Sequence, residues 1–214
     1  MNRNKAGNIF HTTLNWITRL AYVNVLWILF SLAGLIAAGL FPATAAMFAV
    51  VRKWLTEDVE IPVLPTFWNA VRGEFLRANA IGYTALVPAY IFYVDFQFFS
   101  SIEGIVSFIL LVVSGSLFFL YVITVLFLFP ALAHYQVRIP EYFKQAFFIG
   151  AGSPAGVIMS VAACVVIVFL TAWFPALLFF FTGSVPAYVI MWSTLRTIRI
   201  MEEKHIKRKE GTES

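Results

Sequence analysis

The sequence predicts an all-α fold: a polytopic bundle of six membrane helices with the N-terminus and the C-terminus on the cytoplasmic side. Two observations support this prediction. Hydrophobic residues make up 61% of the 214 residues and charged residues only 12%, whereas soluble domains carry about 25% charged residues. The 15 Lys and Arg also fall into four clusters with apolar stretches between them. Because basic residues concentrate on the cytoplasmic side of membrane proteins, these clusters indicate the cytoplasmic segments.

The number of crossings follows from the apolar runs and the clusters together. Five runs are long enough to span a bilayer, at residues 20–38, 80–99, 105–129, 154–173 and 175–195. With a cytoplasmic N-terminus, five crossings would leave the cluster at 52–77 and the basic tail outside. A sixth crossing at 42–55 makes every basic residue cytoplasmic. That stretch reaches only about 20 Å against a core of about 30 Å, so we expect the second helix to be short or half-spanning.

We expect one membrane domain over residues 1–214, divided at the predicted membrane boundaries. The divisions are a cytoplasmic N-terminus at 1–19, a helical hairpin at 20–55, a cytoplasmic segment with an amphipathic helix at 56–79, a second hairpin at 80–129, a cytoplasmic segment with an amphipathic helix at 130–153, a third hairpin at 154–195 and a basic cytoplasmic tail at 196–214. A cleaved signal peptide ending near residues 43–45 is the competing interpretation of the start. The first apolar run exceeds the usual signal-peptide length, so we expect that helix to be retained.

The two cytoplasmic segments are predicted to hold short interfacial helices. In the first, Phe67, Val71 and Phe75 recur every fourth residue, opposite polar positions such as Arg72, which is the pattern of an amphipathic helix. In the second, Pro140 begins a run with a broad apolar face. Such helices either lie in the lipid headgroup layer or form docking surfaces for a cytoplasmic partner. Both interpretations remain open from the sequence.

Five polar residues in or beside the predicted spans form a candidate intramembrane polar site: Asn24, Thr44, Asn79, Asp95 and His134. An ionisable group at membrane depth suggests function, but Asp95 lies near the outer end of its span, where an interfacial acid is the simpler interpretation. His134 lies at a cytoplasmic helix end, where it either titrates near neutrality or caps the helix. We interpret the two asparagines first as bridges between helices.

The sequence predicts no catalytic, cofactor or metal site. It contains none of the common nucleophile or phosphate-loop motifs, and its three His lack carboxylates at ligand spacing. A single cysteine, Cys164, excludes an internal disulfide. The basic tail lacks aromatic base-reading groups, so we expect no nucleic-acid binding. The expected partner is the lipid bilayer, and an enzyme would require an unfamiliar site.

Several short runs carry a family resemblance. In the first half they are Asn24 with Trp27, FPATAA at 41–46, VVRKW at 50–54 and TFW at 66–68; in the second half, PALAHY at 130–135 and YFK with AF at 142–147. Together they resemble the YesL-like family of bacterial integral membrane proteins of uncharacterised function, over roughly residues 5–200. Many relatives have Leu-Pro-x-x-Thr where this chain has LAGL at 32–35, so any role of that threonine does not transfer.

The resemblance implies a multi-pass protein of the bacterial cell membrane. Family members are often encoded beside carbohydrate uptake and polysaccharide-degradation systems, and the resemblance supplies no catalytic residues. Our leading hypothesis is an accessory component of a carbohydrate transport or utilisation system that contacts transporter subunits through segments 56–79 and 136–152. The alternative is a small-molecule transporter or channel that uses the discontinuous hairpin near residues 34–46. A membrane enzyme is the third hypothesis.

Overall fold

The computed structural model describes residues 3–210, with side-chain surroundings for residues 12–204 and 206. All regular structure in this part of the chain is helical, as predicted. The helices are α1 Arg3–Ala33, α2 Leu40–Thr56, α3 Val63–Ser100, α4 Ile105–His134, α5 Ile139–Gly152, α6 Pro154–Trp173, α7 Ala176–Phe181 and α8 Ser184–Glu210.

Three helical segments of the described chain are long and apolar enough to cross a membrane: Thr12–Ala33 within α1, Ile105–His134 and Pro154–Trp173. The large apolar side chains along α4 and α6 are mostly exposed, as expected for surfaces that face lipid. Helix α2 has only 17 residues, or about 25 Å at 1.5 Å per residue. Its length agrees with the prediction of a short second helix.

Helix α2 lies in the middle of the bundle, where it packs against α1, α3, α4 and α8. Its buried residues include several with small side chains, among them Ala43, Ala45 and Ala46, which allow neighbouring helices to approach closely. At its start the backbone is tightly packed, because a Cβ added to Gly39 would lie 2.5 Å from the carbonyl oxygen of Phe30. The short helix is therefore enclosed by longer ones.

Helix α3 corrects one prediction. The expected separate amphipathic helix in segment 56–79 is wrong, because that stretch is the first part of one continuous helix of 38 residues, about 57 Å long. No proline interrupts the chain between its first turn and Pro88. The buried residues of α3 all lie between Phe67 and Ala85. Beyond them the helix contacts α4, for example through the rings of Phe92 and Phe118.

The turn between α1 and α2 lies beside the middle of α3. Asn79 Nδ2 donates to the carbonyl oxygen of Ala38 at 3.1 Å, and the Tyr83 hydroxyl donates to that of Ala37 at 2.9 Å. From Tyr83 to the end of α3 at Ser100, the helix continues for about 25 Å. The α1–α2 hairpin therefore ends well short of the α3–α4 turn, measured along α3.

The predicted second amphipathic segment does form a separate helix, α5. Pro140 lies in its first turn, where a missing N–H costs nothing, and the backbone N–H of Arg138 donates to the Glu141 carboxylate at 3.4 Å. Tyr142 and Ala146 are fully buried on its inner face, and α5 packs mainly on α4.

The predicted span at 175–195 is also corrected. The chain forms the six-residue helix α7, interrupts the helix at Thr182 and Gly183, and resumes as α8. Helix α8 then continues without a break through residue 195 into the basic tail, as far as Glu210. Pro186, in the first turn of α8, has no backbone N–H to continue the helix, and the side chain of Asn24 bonds to the backbone on both sides of the interruption.

Candidate functional site

Asn24 connects the two helices on either side of the α7–α8 break. Its Nδ2 donates to the carbonyl oxygens of Leu178 and Phe179, at 3.3 Å and 2.9 Å. Its Oδ1 accepts from the backbone N–H groups of Gly183 and Ser184, at 2.8 Å and 3.0 Å. One amide thus satisfies carbonyls at the end of α7 and N–H groups at the start of α8, which a helix break leaves unpaired.

This arrangement explains why a polar residue is placed at full burial in α1, since Asn24 is 0% exposed. Buried polar groups are costly unless they are hydrogen-bonded, and both ends of this amide are. The interpretation of Asn24 as a bridge between helices is consistent with these contacts. Its partner segment, more than 150 residues away in the sequence, could not be read from the sequence.

Thr44 lies beside this break, on α2. Its hydroxyl accepts from the Trp27 indole N–H at 3.0 Å and donates to the carbonyl oxygen of Leu40 at 2.7 Å. Thr44 and Gly183 line one cavity of about 280 Å³ between α1, α2, α6 and α8, and Cys164 lies on the α6 side. The walls are almost entirely apolar, so this space suits an apolar group better than an ion or a sugar.

Asn79 and Asp95 lie apart from that cavity. Asn79 holds the α1–α2 turn and also donates to the carbonyl oxygen of Phe75 in its own helix, at 3.0 Å. Asp95 is partly exposed on the second half of α3, and it has no ion pair with another described side chain. The structure therefore brings Asn24 and Thr44 together near the α7–α8 break, whereas Asn79 and Asp95 lie elsewhere in the bundle.

We call the end of the bundle where α2 and α4 both end the basic end. His134 lies there, at the end of α4, and lines two cavities. The larger has a volume of about 690 Å³ and the smaller about 210 Å³. His134 Nδ1 is buried and has no hydrogen-bond partner among the described residues. Glu202 lines the larger cavity with His134, and Arg52 lines the smaller one.

The larger cavity at the basic end contains residues that the sequence analysis divided between the third hairpin and the basic cytoplasmic tail. They are Tyr188, Trp192, Arg196, Arg199 and Glu202, all on α8. Their spacings of four, four, three and three residues place them along one face of a helix. This periodicity could have indicated a shared helix face from the sequence. Only the packing of α8 against α2 and α4 shows that this face lines a cavity.

Electrostatics link the two cavities. Burial and the nearby Glu202 carboxylate together raise the pKa of Tyr135, whose side chain lines the smaller cavity. No group of three or more His, Cys, Asp or Glu that could hold a metal ion occurs within the described part of the chain.

Comparisons with known proteins identify the family. The chain is 35% identical over 194 residues to the uncharacterized protein YesL of Bacillus subtilis (strain 168), covering 91% of each chain. It is 34% identical to YteU of the same organism, over 82% of this chain and 79% of that protein, and 31% identical to YesV, over 88% and 91%. The chain belongs to the YesL-like family. A model described as "Protein of unknown function, DUF624" matches residues 20–96.

No solved structure matches the chain. In this YesL-like protein, the range that the family model matches contains four of the five predicted site residues: Asn24, Thr44, Asn79 and Asp95. His134 and the α8 residues of the larger cavity lie outside that range.

Proposed function

We propose that this YesL-like protein is a non-enzymatic accessory component of a carbohydrate transport or utilisation system in the bacterial cell membrane. Its six crossings would place both termini in the cytoplasm, with α2 as a half-spanning helix. The turns at 101–104 and 174–175 carry no Lys or Arg, which supports an external position for them. The position of the α1–α2 turn beside the middle of α3 supports the half-spanning α2.

Helix α5 is the observation that carries the proposed docking role. It is a separate, capped helix whose inner face is fixed on α4, while its outer face presents Phe147 and Phe148 at 39% and 50% exposure beside the exposed Lys144. Exposed aromatic residues next to charges are typical of protein contact sites. We propose that α5 contacts a cytoplasmic-side subunit of a sugar transporter, together with the exposed side of the first half of α3.

Co-purification tests this docking. The tagged full-length protein is extracted in a mild detergent from cells that co-express the permease and ATP-binding subunits of a neighbouring carbohydrate transporter. We expect both subunits to be recovered with the unaltered protein and to be lost with Phe147→Ser/Phe148→Ser. A matched variant, Ile200→Ser/Ile206→Ser, replaces exposed apolar residues of α8 and should retain them. Equal recovery with all three proteins would refute docking through α5.

Passage of a small molecule is the second candidate, and the cavity of about 280 Å³ favours it. The carbonyls of Ala37 and Ala38 in the α1–α2 turn already accept hydrogen bonds, so we place this candidate at the cavity beside Thr44 rather than at the turn itself. Flux into proteoliposomes should then fall in Thr44→Val. Flux that is unchanged in this variant would argue against the cavity as a route.

A further inference from the structure

The larger cavity at the basic end combines an aromatic and aliphatic wall with a charged rim. Its volume is about 690 Å³, and it lies between the end of α2, the end of α4 and one face of α8. Tyr188, Trp192 and Leu195 provide apolar surface, and Arg196 and Arg199 follow one and two helical turns after Trp192. A ligand here would contact ring faces at one end and guanidinium groups at the other.

Both guanidinium groups are available to a ligand. Arg196 lies over the Trp192 ring, with 5.5 Å from its Cζ to the ring centroid, an arrangement that leaves the N–H groups at the guanidinium edge free to donate. Among the described side chains the ion pairs are Arg52–Glu57 at 3.9 Å and Arg77–Glu74 at 3.0 Å. Neither cavity arginine is paired with a carboxylate within this part of the chain.

Three further groups define what the site would accept. His134 adds a buried ring nitrogen that no described group uses, and Arg52 lines the adjoining smaller cavity, whose wall also contains His134. Glu202 is the carboxylate among the cavity residues. It repels a bare anion but accepts hydrogen bonds, so it favours a ligand that also carries hydroxyl groups.

We propose that this cavity binds a hydroxyl-bearing phosphate compound, with the phosphate held by Arg196 and Arg199 and a hydroxyl facing Glu202. Planar guanidinium forks match phosphate oxygens in geometry and charge. Two sources share this chemistry: the headgroup of an anionic phospholipid such as phosphatidylglycerol, and a soluble phosphorylated polyol. Basic pockets between membrane helices on the cytoplasmic side are known sites for the first. The inference does not depend on docking through α5.

Two measurements on the full-length protein test the site and separate the sources. In the first, native mass spectrometry follows protein in nanodiscs of phosphatidylglycerol, or of phosphatidylcholine, as it is released from the disc. In the second, delipidated protein in neutral detergent is titrated with glycerol 3-phosphate and with inorganic phosphate, and binding is followed by thermal shift. The variants are Arg196→Gln/Arg199→Gln and a control with the same net charge, Arg72→Gln/Lys144→Gln, whose residues lie outside both cavities at the basic end.

We expect the unaltered protein and the control to bind, and the Arg196→Gln/Arg199→Gln variant to bind at least about tenfold more weakly, because two charge-assisted contacts are lost. Retained phosphatidylglycerol without a glycerol 3-phosphate response would identify the lipid as the source. A glycerol 3-phosphate response without retained lipid would identify the soluble compound. Binding of neither probe would overturn the proposal. Equal losses in the two double variants would also overturn it, because they would indicate attraction to net charge alone.

Discussion

Replacing Asn24 with alanine removes one fully buried amide and its four hydrogen bonds at the α7–α8 break. Hydrogen bonds inside membrane proteins contribute about 0.6 kcal/mol each on average, and those in soluble proteins about 1 kcal/mol. Four of them therefore correspond to about 2–4 kcal/mol of unfolding free energy. We expect Asn24→Ala to lose stability in that range while the protein still inserts into membranes.

The companion variant Asn24→Asp tests the geometry of the bridge. Aspartate keeps an oxygen for the N–H groups of Gly183 and Ser184, but it places a second carboxylate oxygen against the carbonyls of Leu178 and Phe179. Because an ionised carboxylate only accepts hydrogen bonds, we expect Asn24→Asp to be at least as destabilised as Asn24→Ala at neutral pH. If the loss of side-chain volume alone caused the effect, Asn24→Asp would be less destabilised than Asn24→Ala.

Two assays measure this prediction. Reversible unfolding in mixed micelles gives the free energy, and hydrogen exchange reports whether the amides of Gly183 and Ser184 lose protection. Asn79→Ala serves as a comparison, because Asn79 makes two hydrogen bonds and should cost roughly half as much. A change below about 0.5 kcal/mol in Asn24→Ala, with unaltered exchange at the break, would refute the assignment, because surface-like substitutions give effects of that size.

Three further predictions concern the α1–α2 hairpin and its neighbours. Gly39→Ala should destabilise the fold, because its Cβ would lie 2.5 Å and 2.6 Å from two carbonyl oxygens near the end of α1. Gly73→Ala, whose Cβ would have no atom within 4 Å, should instead stabilise α3 by about 0.5–1 kcal/mol. Thermal unfolding in one detergent compares the two variants, and similar shifts in unfolding temperature would contradict the tight packing at Gly39. Ile36 has a φ of 64° and a largely exposed side chain, so Ile36→Gly should preserve or raise the unfolding temperature by relieving strain of about 1 kcal/mol; a clear loss would show that the turn is not strained there. In a double-mutant cycle, Trp27→Phe and Thr44→Val should couple by about 0.5–1 kcal/mol through their shared hydrogen bond, and strict additivity would count against that bond.

The helical class and the turns at 101–104 and 174–175 could be predicted from the sequence because each depends on composition and on local breakers, whereas the α1–α2 turn lies at 34–39 and not between the predicted spans at 20–38 and 42–55. The α3–α4 turn at 101–104 lies between the predicted spans at 80–99 and 105–129, since Ser101 and Gly104 end one apolar run and precede the next. The short second helix was predictable because the stretch at 42–55 is shorter than a membrane span requires. These features require no knowledge of which helices touch.

The errors arose where hydropathy and helix continuity differ. The polar residues Arg77 and Asn79 suggested a boundary before residue 80, but a helix ends where its backbone bonding is broken, and no residue there breaks it. At the α7–α8 break the opposite occurred. Gly183, with Pro186 in the first turn of α8, interrupts an apolar run that hydropathy reads as continuous. A Gly followed shortly by a Pro was the available signal.

The candidate site was predicted only in part for a related reason. Asn24, Thr44 and His134 could be found as isolated polar residues, yet their partners lie on helices far away in the sequence. Arg196 and Arg199 were assigned to the basic cytoplasmic tail, because charge alone cannot distinguish an exposed helix face from one that faces Leu55 and His134.

Cysteine labelling tests the central claim, the six-crossing arrangement with α2 returning to the cytoplasm. In a Cys164→Ala background, single cysteines replace Glu57, Glu103 and Gln136, which lie in the α2–α3, α3–α4 and α4–α5 connections. An impermeant maleimide added to intact cells should label the cysteine at position 103 only, and the other two should react after permeabilisation. Labelling of position 57 from outside, with position 103 protected or also labelled, would contradict the return of α2 and the topology built on it.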